Sequence, residues 1–368
     1  MKKKYIYQRN DWPDFVLDTS KIFNLLIEVR NKQGKLIGKM ESLGFDLQNE
    51  AFLQTLTTDI LKSTEIEGII LNQEEVRSSV ARRLGIDIGG LLTTNRDIEG
   101  LVDMMFDATT NYSAPLTNER LFDWHFALFP MGRSGWQKII VGNWRDDTNG
   151  PMQVVSGVSG KEKIHYEALP ASGIDSEMDK FLDWFNNTKN IDFVLKAGIA
   201  HLWFLTIHPF DDGNGRIARA ITDMLLACSD GIPQRFYGMS SQIQKERKVY
   251  YEILEKTQKG ELDVTEWIEW FLNTLLDAIL NSEETLSFVI RKNKFWNTFG
   301  SEINNARQKK ILNKLLSGFK GHLSSTKWAK ITKCSQDTAL RDIQDLIDKG
   351  ILVKTGSGGR STRYELTD

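Results

Sequence analysis

Twelve consecutive residues, His208-Pro209-Phe210-Asp211-Asp212-Gly213-Asn214-Gly215-Arg216-Ile217-Ala218-Arg219, bring together an imidazole, two carboxylates, two glycines around an amide and two guanidinium groups. Gly213-Asn214-Gly215 can turn successive backbone N–H groups to one side. A helix opening there aims its positive dipole end at the same point, which makes an anion cradle. Arg216 and Arg219 lie three apart, share a face of the first helical turns and can grip phosphate oxygens bidentately. Asp211 or Asp212 offers the hard oxygen that a magnesium ion bridging phosphates prefers. His208 is the group whose pKa suits taking a proton near neutral pH. A base, a cation and a phosphate cradle point to phosphoryl or nucleotidyl transfer. A proline-stopped helix end followed by an ordinary turn would account for the glycines but not for the charged groups.

Two elements must position this run. Val194 to Ile207 before it and Ile217 to Cys228 after it are apolar on all sides, the pattern of buried helices, which makes the motif a loop between two core helices.

The run resembles the Fic family motif, His-Pro-Phe-x-Asp/Glu-Gly-Asn-Gly-Arg-x-x-Arg, at every defined position. Fic enzymes typically transfer AMP from ATP to a hydroxyl of a protein side chain. The resemblance implies ATP as substrate and Mg2+ as cofactor. It makes His208 the general base and Asp212 the magnesium ligand. Gly213, Asn214 and Gly215 become the anion hole, and Arg216 and Arg219 the phosphate grips. Doc-type kinases, which are related, carry Lys where this chain has Gly215, a departure that argues for nucleotidyl over simple phosphate transfer.

A second run, Ser63-Thr64-Glu65-Ile66-Glu67-Gly68, reads locally as a short helix capped by Ser63, with Ile66 and Ile69 on its buried side. Glu67 beside a C-terminal Gly68 is then an anion at the wrong end of a helix dipole, so something else should compensate it. The run matches the Fic inhibitory motif, Ser/Thr-x-x-x-Glu-Gly/Asn. By that resemblance Glu67 pairs with Arg219 and withdraws it from the terminal phosphate of ATP. Val141 to Arg145 and Pro151 to Gly157, around Asp146 to Gly150, give a strand, turn, strand pattern. In Fic proteins such a hairpin flap docks the target segment, here on Met152, Gln153 and Val154. Tyr250 and Tyr251 point about 100° apart on a helix, so one packs inward while the other lines a pocket. Similar tyrosine pairs in Fic proteins flank the adenine. His125, His165 and His201, each set in apolar or aromatic surroundings, read as packing histidines.

The 368 residues carry 40% hydrophobic and 26% charged residues and a net charge of −2, ordinary values for a globular protein and no general pull toward nucleic acid or membrane. The charge is uneven: residues 307–368 hold 13 basic against 6 acidic residues, a net of +7. Met1 to Tyr5 has no apolar stretch behind it, no membrane span is evident, and two distant cysteines, Cys228 and Cys334, exclude a disulfide framework. A cytoplasmic protein is expected. The fold expected is mainly α, in three parts. Residues 1–90 form an N-terminal helical domain with its aromatic start pinned to a core. Residues 91–285 form a Fic core with its small hairpin flap. Residues 286–368 form a connecting helix and a winged helix-turn-helix, from three helices and two strands around Gly356-Ser357-Gly358-Gly359. In that module the third helix carries Asp342, Asp345 and Asp348 beside Arg341 on its outer side, a poor groove-reading face. Lys327, Lys330, Lys333, Arg360 and Arg363 could still meet phosphates, so protein and nucleic acid both stand as its partners. The function expected is an autoinhibited transfer of AMP to a Ser, Thr or Tyr hydroxyl of a protein substrate, with self-modification and a homodimer both open. The rivals are removal of AMP from a modified protein and a nucleotide-sensing DNA-binding regulator.

Overall fold

The computed structural model describes residues 4–88, 92–157, 163–316, 319, 321–355 and 362–367. They fall into two compact units, Met1–Glu283 and Glu284–Asp368. The first unit is mainly α. Its elements begin with α1 (Thr19–Glu41), α2 (Phe45–Ile66), α3 (Gln73–Leu84), α4 (Arg96–Thr110) and α5 (Asn118–Leu128). Four short strands follow, β1 (Arg133–Ser134), β2 (Gln137–Lys138), β3 (Gln153–Ser156) and β4 (Lys163–Glu167). Then come α6 (Ile174–Asn187), α7 (Phe193–Ile207), α8 (Asn214–Asp230), α9 (Met239–Lys245) and α10 (Arg247–Gln258). Helix α11 (Thr265–Phe299) carries the boundary between the units.

Helix α7 is the centre of the unit. Every residue from Val194 to Ile207 is buried, so its apolar composition all round is what a core position requires. Gly198 admits α11 at close range: a Cβ there would sit 2.7 Å from Ile268 Cδ1. Helix α8 packs along α7, and its Ile217, Ala218, Ile221 and Leu225 are buried. The aromatic start of the chain is held as its composition implies. Trp12 and Phe15 meet Trp203 of α7 at ring distances of 6.0 and 5.5 Å, and Tyr5 meets Tyr166 of β4 at 5.1 Å.

Three local expectations need correction. Ser63 caps no short helix: it lies inside α2, which runs on to Ile66, and Ile69 is exposed. The strand expected at 141–145 does not form. Arg145 N donates to Pro209 O at 2.9 Å, so this segment is latched to the motif, and β3 pairs antiparallel with β4 instead. The connecting helix expected to open residues 286–368 begins well before them, as α11, because no glycine or proline interrupts it between Thr265 and Gly300.

The second unit continues with α12 (Ala306–Leu316), α13 (Ser325–Thr332), α14 (Gln336–Asp348) and the antiparallel pair β5 (Leu352–Thr355) and β6 (Arg363–Leu366). Its core is built on Ile311, Leu312, Trp328, Ile343, Leu346 and Ile351. The glycine turn at 356–359 and Arg360 lie outside the described residues. One residue of α14 differs from expectation. Asp342 is buried against α12, where Arg307 Nε approaches Asp342 Oδ2 at 2.7 Å and Asn305 donates to Oδ1 at 2.7 Å. Asp345 likewise accepts from Gln308 and Lys349.

Candidate active site

The motif joins α7 to α8, and its backbone is fixed by its own side chains. His208 ends α7 with φ of +52°, a left-handed conformation that a residue other than glycine rarely takes. Asn214 closes the loop by accepting from Phe210 N at 3.0 Å and donating to Phe210 O at 2.7 Å. Gly213 stands at φ +83°, where a Cβ would lie 2.9 Å from the Phe129 ring, so glycine is required by both conformation and space. Helix α8 begins at Asn214, earlier than its apolar stretch indicates, and the N–H groups of its first turn open on the cradle.

The imidazole of His208 contacts Leu205 O through Nδ1 at 3.3 Å. A carbonyl can only accept, so Nδ1 carries the proton and Nε2 keeps its lone pair. Burial lowers the His208 pKa to about 4, which leaves the ring neutral and able to accept a proton at pH 7. Asp211 is engaged with the backbone, accepting from Ile140 N at 2.8 Å. Asp212 takes a hydrogen bond from Ser134 Oγ and sits 3.6 Å from Arg216 Nη2. Among the described residues no three His, Cys, Asp or Glu side chains gather as a metal cage. A single carboxylate nonetheless suits magnesium, which commonly takes one or two protein carboxylates and completes its shell with phosphate oxygens and water.

Arg216 lies over the Phe129 ring at 4.8 Å, and its buried Nε has no partner. Arg219 is buried and gripped from α2. Its Nε donates to Ser63 Oγ at 2.8 Å, and its Nη2 donates to Ser63 O at 2.9 Å and to Glu67 Oε1 at 2.7 Å. Its Nη1 is buried without a partner. Burial works against the Arg219 charge, but the charge and hydrogen bond of Glu67 together with Tyr250 and Tyr251 outweigh it, and the pKa is raised. Glu67 stands at the C-terminus of α2, and its carboxylate covers Gly215 so closely that a Cβ there would collide with Oε1. The dipole at the start of α8 compensates the anion that the end of α2 does not.

Tyr250 is buried, and Tyr251 is partly exposed under Arg247. His201 is the satisfied core imidazole expected of it, between Thr222 Oγ1 and Tyr250 OH, each at 2.9 Å. His125 packs flat on Phe210 at 4.1 Å, but it is more than packing, since Nε2 reaches Asp212 O at 3.2 Å and so braces the motif. His165 is not a core histidine; it lies on β4 between Ser156 and Glu255. Met152 and Val154 pack toward Tyr5 and Tyr166, and Gln153 donates to Glu167 at 2.7 Å. Sequence reasoning missed Arg145 altogether. Buried, it donates from Nε to His208 O at 2.8 Å and from Nη2 to Leu169 O at 2.7 Å, with Nη1 3.0 Å from Asp147. The only signal was an arginine set directly before two aspartates, Asp146 and Asp147.

Residues 115–226 match the model of the Fic/DOC family, and residues 5–86 match a domain of unknown function, DUF4172. The chain is 30% identical over 120 residues to a probable protein adenylyltransferase of Aquifex aeolicus, covering 30% of this chain and 38% of that one. It is 27% identical over 223 residues to the protein adenylyltransferase Fic of Aedes aegypti, covering 58% and 39%. The chain thus spans about two fifths of the length of these relatives. Among solved structures, a Fic family protein of Desulfovibrio desulfuricans G20 is similar with a TM-score of 0.55 and 21% identity, over 96% of this chain and 98% of that one. A Fic domain-containing signaling protein of Bacteroides thetaiotaomicron VPI-5482 has a TM-score of 0.51 at 20% identity, over 72% and 97%. At these identities the likeness is one of fold. The motif loop between two buried helices lies inside residues 115–226, the stretch that matches the Fic/DOC family model.

Proposed function

We propose that the protein transfers AMP from ATP to a Ser, Thr or Tyr hydroxyl of a protein, and that Glu67 restrains the reaction. The observation that carries the reading is the pair of buried, unpartnered guanidinium N–H groups, Arg216 Nε and Arg219 Nη1, set on the first turns of α8 near a neutral histidine. Buried donors without partners are rare and mark a place where a polyanion completes the site. His208 Nε2 takes the proton of the acceptor hydroxyl, whose oxygen attacks the α-phosphorus of ATP. The bond from that phosphorus to the bridging oxygen breaks, and pyrophosphate leaves. The first-turn N–H groups of α8, from Asn214 and Gly215, and the Arg216 side chain hold the charge that builds on phosphate oxygens. Asp212 is the residue that would hold magnesium, which when bound neutralises charge on the leaving pyrophosphate. Replacing His208 by Ala should lower transfer by at least about 100-fold while nucleotide binding, read by calorimetry, persists. Transfer retained in that variant removes His208 from the role of base.

The Glu67 carboxylate and the Ser63 hydroxyl occupy Arg219, so ATP would bind with its terminal phosphate ungripped and its α-phosphate misplaced. Residues 1–90 then serve as the restraint, 91–285 as the transferase, and the edge of the β3–β4 hairpin at Met152 to Val154 as the acceptor dock. Tyr250 and Tyr251 are proposed to border the adenine, Tyr251 by contact and Tyr250 by supporting it. A second reading applies to residues 286–368 alone, as a winged helix-turn-helix that binds duplex DNA. The specific observation is that α12 takes up Asp342, while Gln308 and Lys349 pair with the half-exposed Asp345, so the outer side of α14 presents Gln336, Arg341 and Gln344 beside Asp337 and Asp348. Arginine and glutamine are the side chains that read guanine and adenine edges.

A further inference from the structure

The β3–β4 hairpin changes register at its middle. Val154 faces Tyr166, but Val155 faces Ile164, so His165 is one residue more on β4 than β3 can match. A bulge of this kind re-aims a side chain. Here the imidazole is held at both ends: Nε2 lies 2.6 Å from Ser156 Oγ on β3, and Nδ1 lies 2.5 Å from Glu255 Oε2 on α10. The carboxylate can only accept, so Nδ1 carries the proton and Nε2 accepts from the Ser156 hydroxyl. Lys259 Nζ, 2.6 Å from Glu255 Oε1, steadies the carboxylate in turn. The next residue of β4, Tyr166, donates from its hydroxyl to Thr206 O at 2.6 Å, two residues before His208. Neighbouring residues of one strand therefore fasten the hairpin to two helices, Tyr166 to α7 with its terminal histidine and His165 to α10 with Tyr250 and Tyr251.

We propose that His165 is a positioning residue whose bonds to Ser156 and Glu255 fix the level of β3, and with it the register in which an acceptor segment adds to the open edge of that strand. This rests on the reading of β3 as the acceptor dock. Tyr166 anchors the root of the hairpin near the catalytic base, but β3 beyond Val154 has the His165 link to hold it against α10. Loss of the link loosens the acceptor and leaves ATP binding as it was.

The test uses the full chain carrying Glu67→Gly, alone and with His165→Ala, His165→Gln or Glu255→Gln. Amide hydrogen exchange is followed over residues 153–156, and labelled AMP transfer is followed with the His208→Ala chain as acceptor. In His165→Ala, exchange at 153–156 should rise about 10-fold, the scale set by losing a hydrogen bond to a charged group, while α7 and α8 keep their protection. The KM for the acceptor chain should rise by a similar factor with the KM for ATP unchanged. His165→Gln, whose amide can bridge both neighbours, should restore most of the loss. Unchanged exchange in His165→Ala, equal loosening of α7 and α8, or a KM for ATP that rises in step with that for the acceptor overturns the proposal. Exchange is read without turnover, so absence of all transfer counts against the adenylyltransferase reading while the exchange arm still decides the role of His165.

Discussion

His208 sits in a backbone conformation that costs a residue other than glycine about 1–3 kcal/mol, and what surrounds it explains how that cost is borne. Arg145 binds its carbonyl, Leu205 orients its ring, and burial strips its charge. The pKa near 4 has a kinetic consequence. The folded value lies below that of free imidazole, so the base form persists as pH falls and is lost only on passing through the folded value. The acid limb of kcat/KM should therefore inflect well below about 6.5, measured in the Glu67→Gly chain. An inflection at the ordinary histidine value would show that the base titrates in a solvated setting. These twelve motif residues were legible because their chemistry is consecutive. Arg145, Ser134 and His125 were not, because they reach the motif from 63 to 87 residues away, two of them through backbone carbonyls that no residue type announces.

Helix α2 is the element that carries the proposed restraint, and it docks through a buried carboxyl pair. Asp59 of α2 accepts from Ser240 N at 2.9 Å and from Ser240 Oγ at 3.0 Å, and its carboxyl neighbours that of Asp223 of α8. Burial raises both carboxyls, Asp223 well above the usual range with the neighbouring Asp59 adding to it, although Arg235 lies 3.3 Å from Asp223 and opposes the rise. The folded chain thus holds a proton that the unfolded chain gives up above about pH 4. Stability contributed by the protonated pair is lost as pH rises toward the folded values. Asp59→Asn should flatten that slope, gaining on the order of 1 kcal/mol relative to the native chain between pH 5 and pH 8 in urea unfolding. An identical slope in both chains would show that the pair shares no proton. The buried helices α7 and α8 were readable from composition. The hairpin was not, because Asn149-Gly150 looks like a turn between strands whereas Arg145 spends the backbone of its own segment on Pro209.

The whole molecule divides its charge as it divides its structure, with a net of +7 on residues 307–368 against −9 on the rest. Sequence spacing put Asp342 and Asp345 on the outer side of α14. It could not reveal that Arg307 and Gln308, more than thirty residues earlier, fold back to take them. Duplex DNA of mixed sequence should accordingly bind the full chain at low salt and weaken by about 10-fold or more between about 50 and 200 mM salt, with Lys330→Glu and Arg341→Ala each reducing it in fluorescence anisotropy. Binding that is absent at low salt would leave the module to protein partners. In the first unit, the contact that defines the account joins two separately matched regions, Glu67 within residues 5–86 and Arg219 within 115–226. The most direct test is transfer of labelled AMP from ATP with magnesium by the native chain, by Glu67→Gly and by the double variant Glu67→Gly with His208→Ala. Strong labelling is expected in Glu67→Gly and little in the other two. Glu67→Gly labelling no better than the native chain, or label persisting in the double variant, would contradict it.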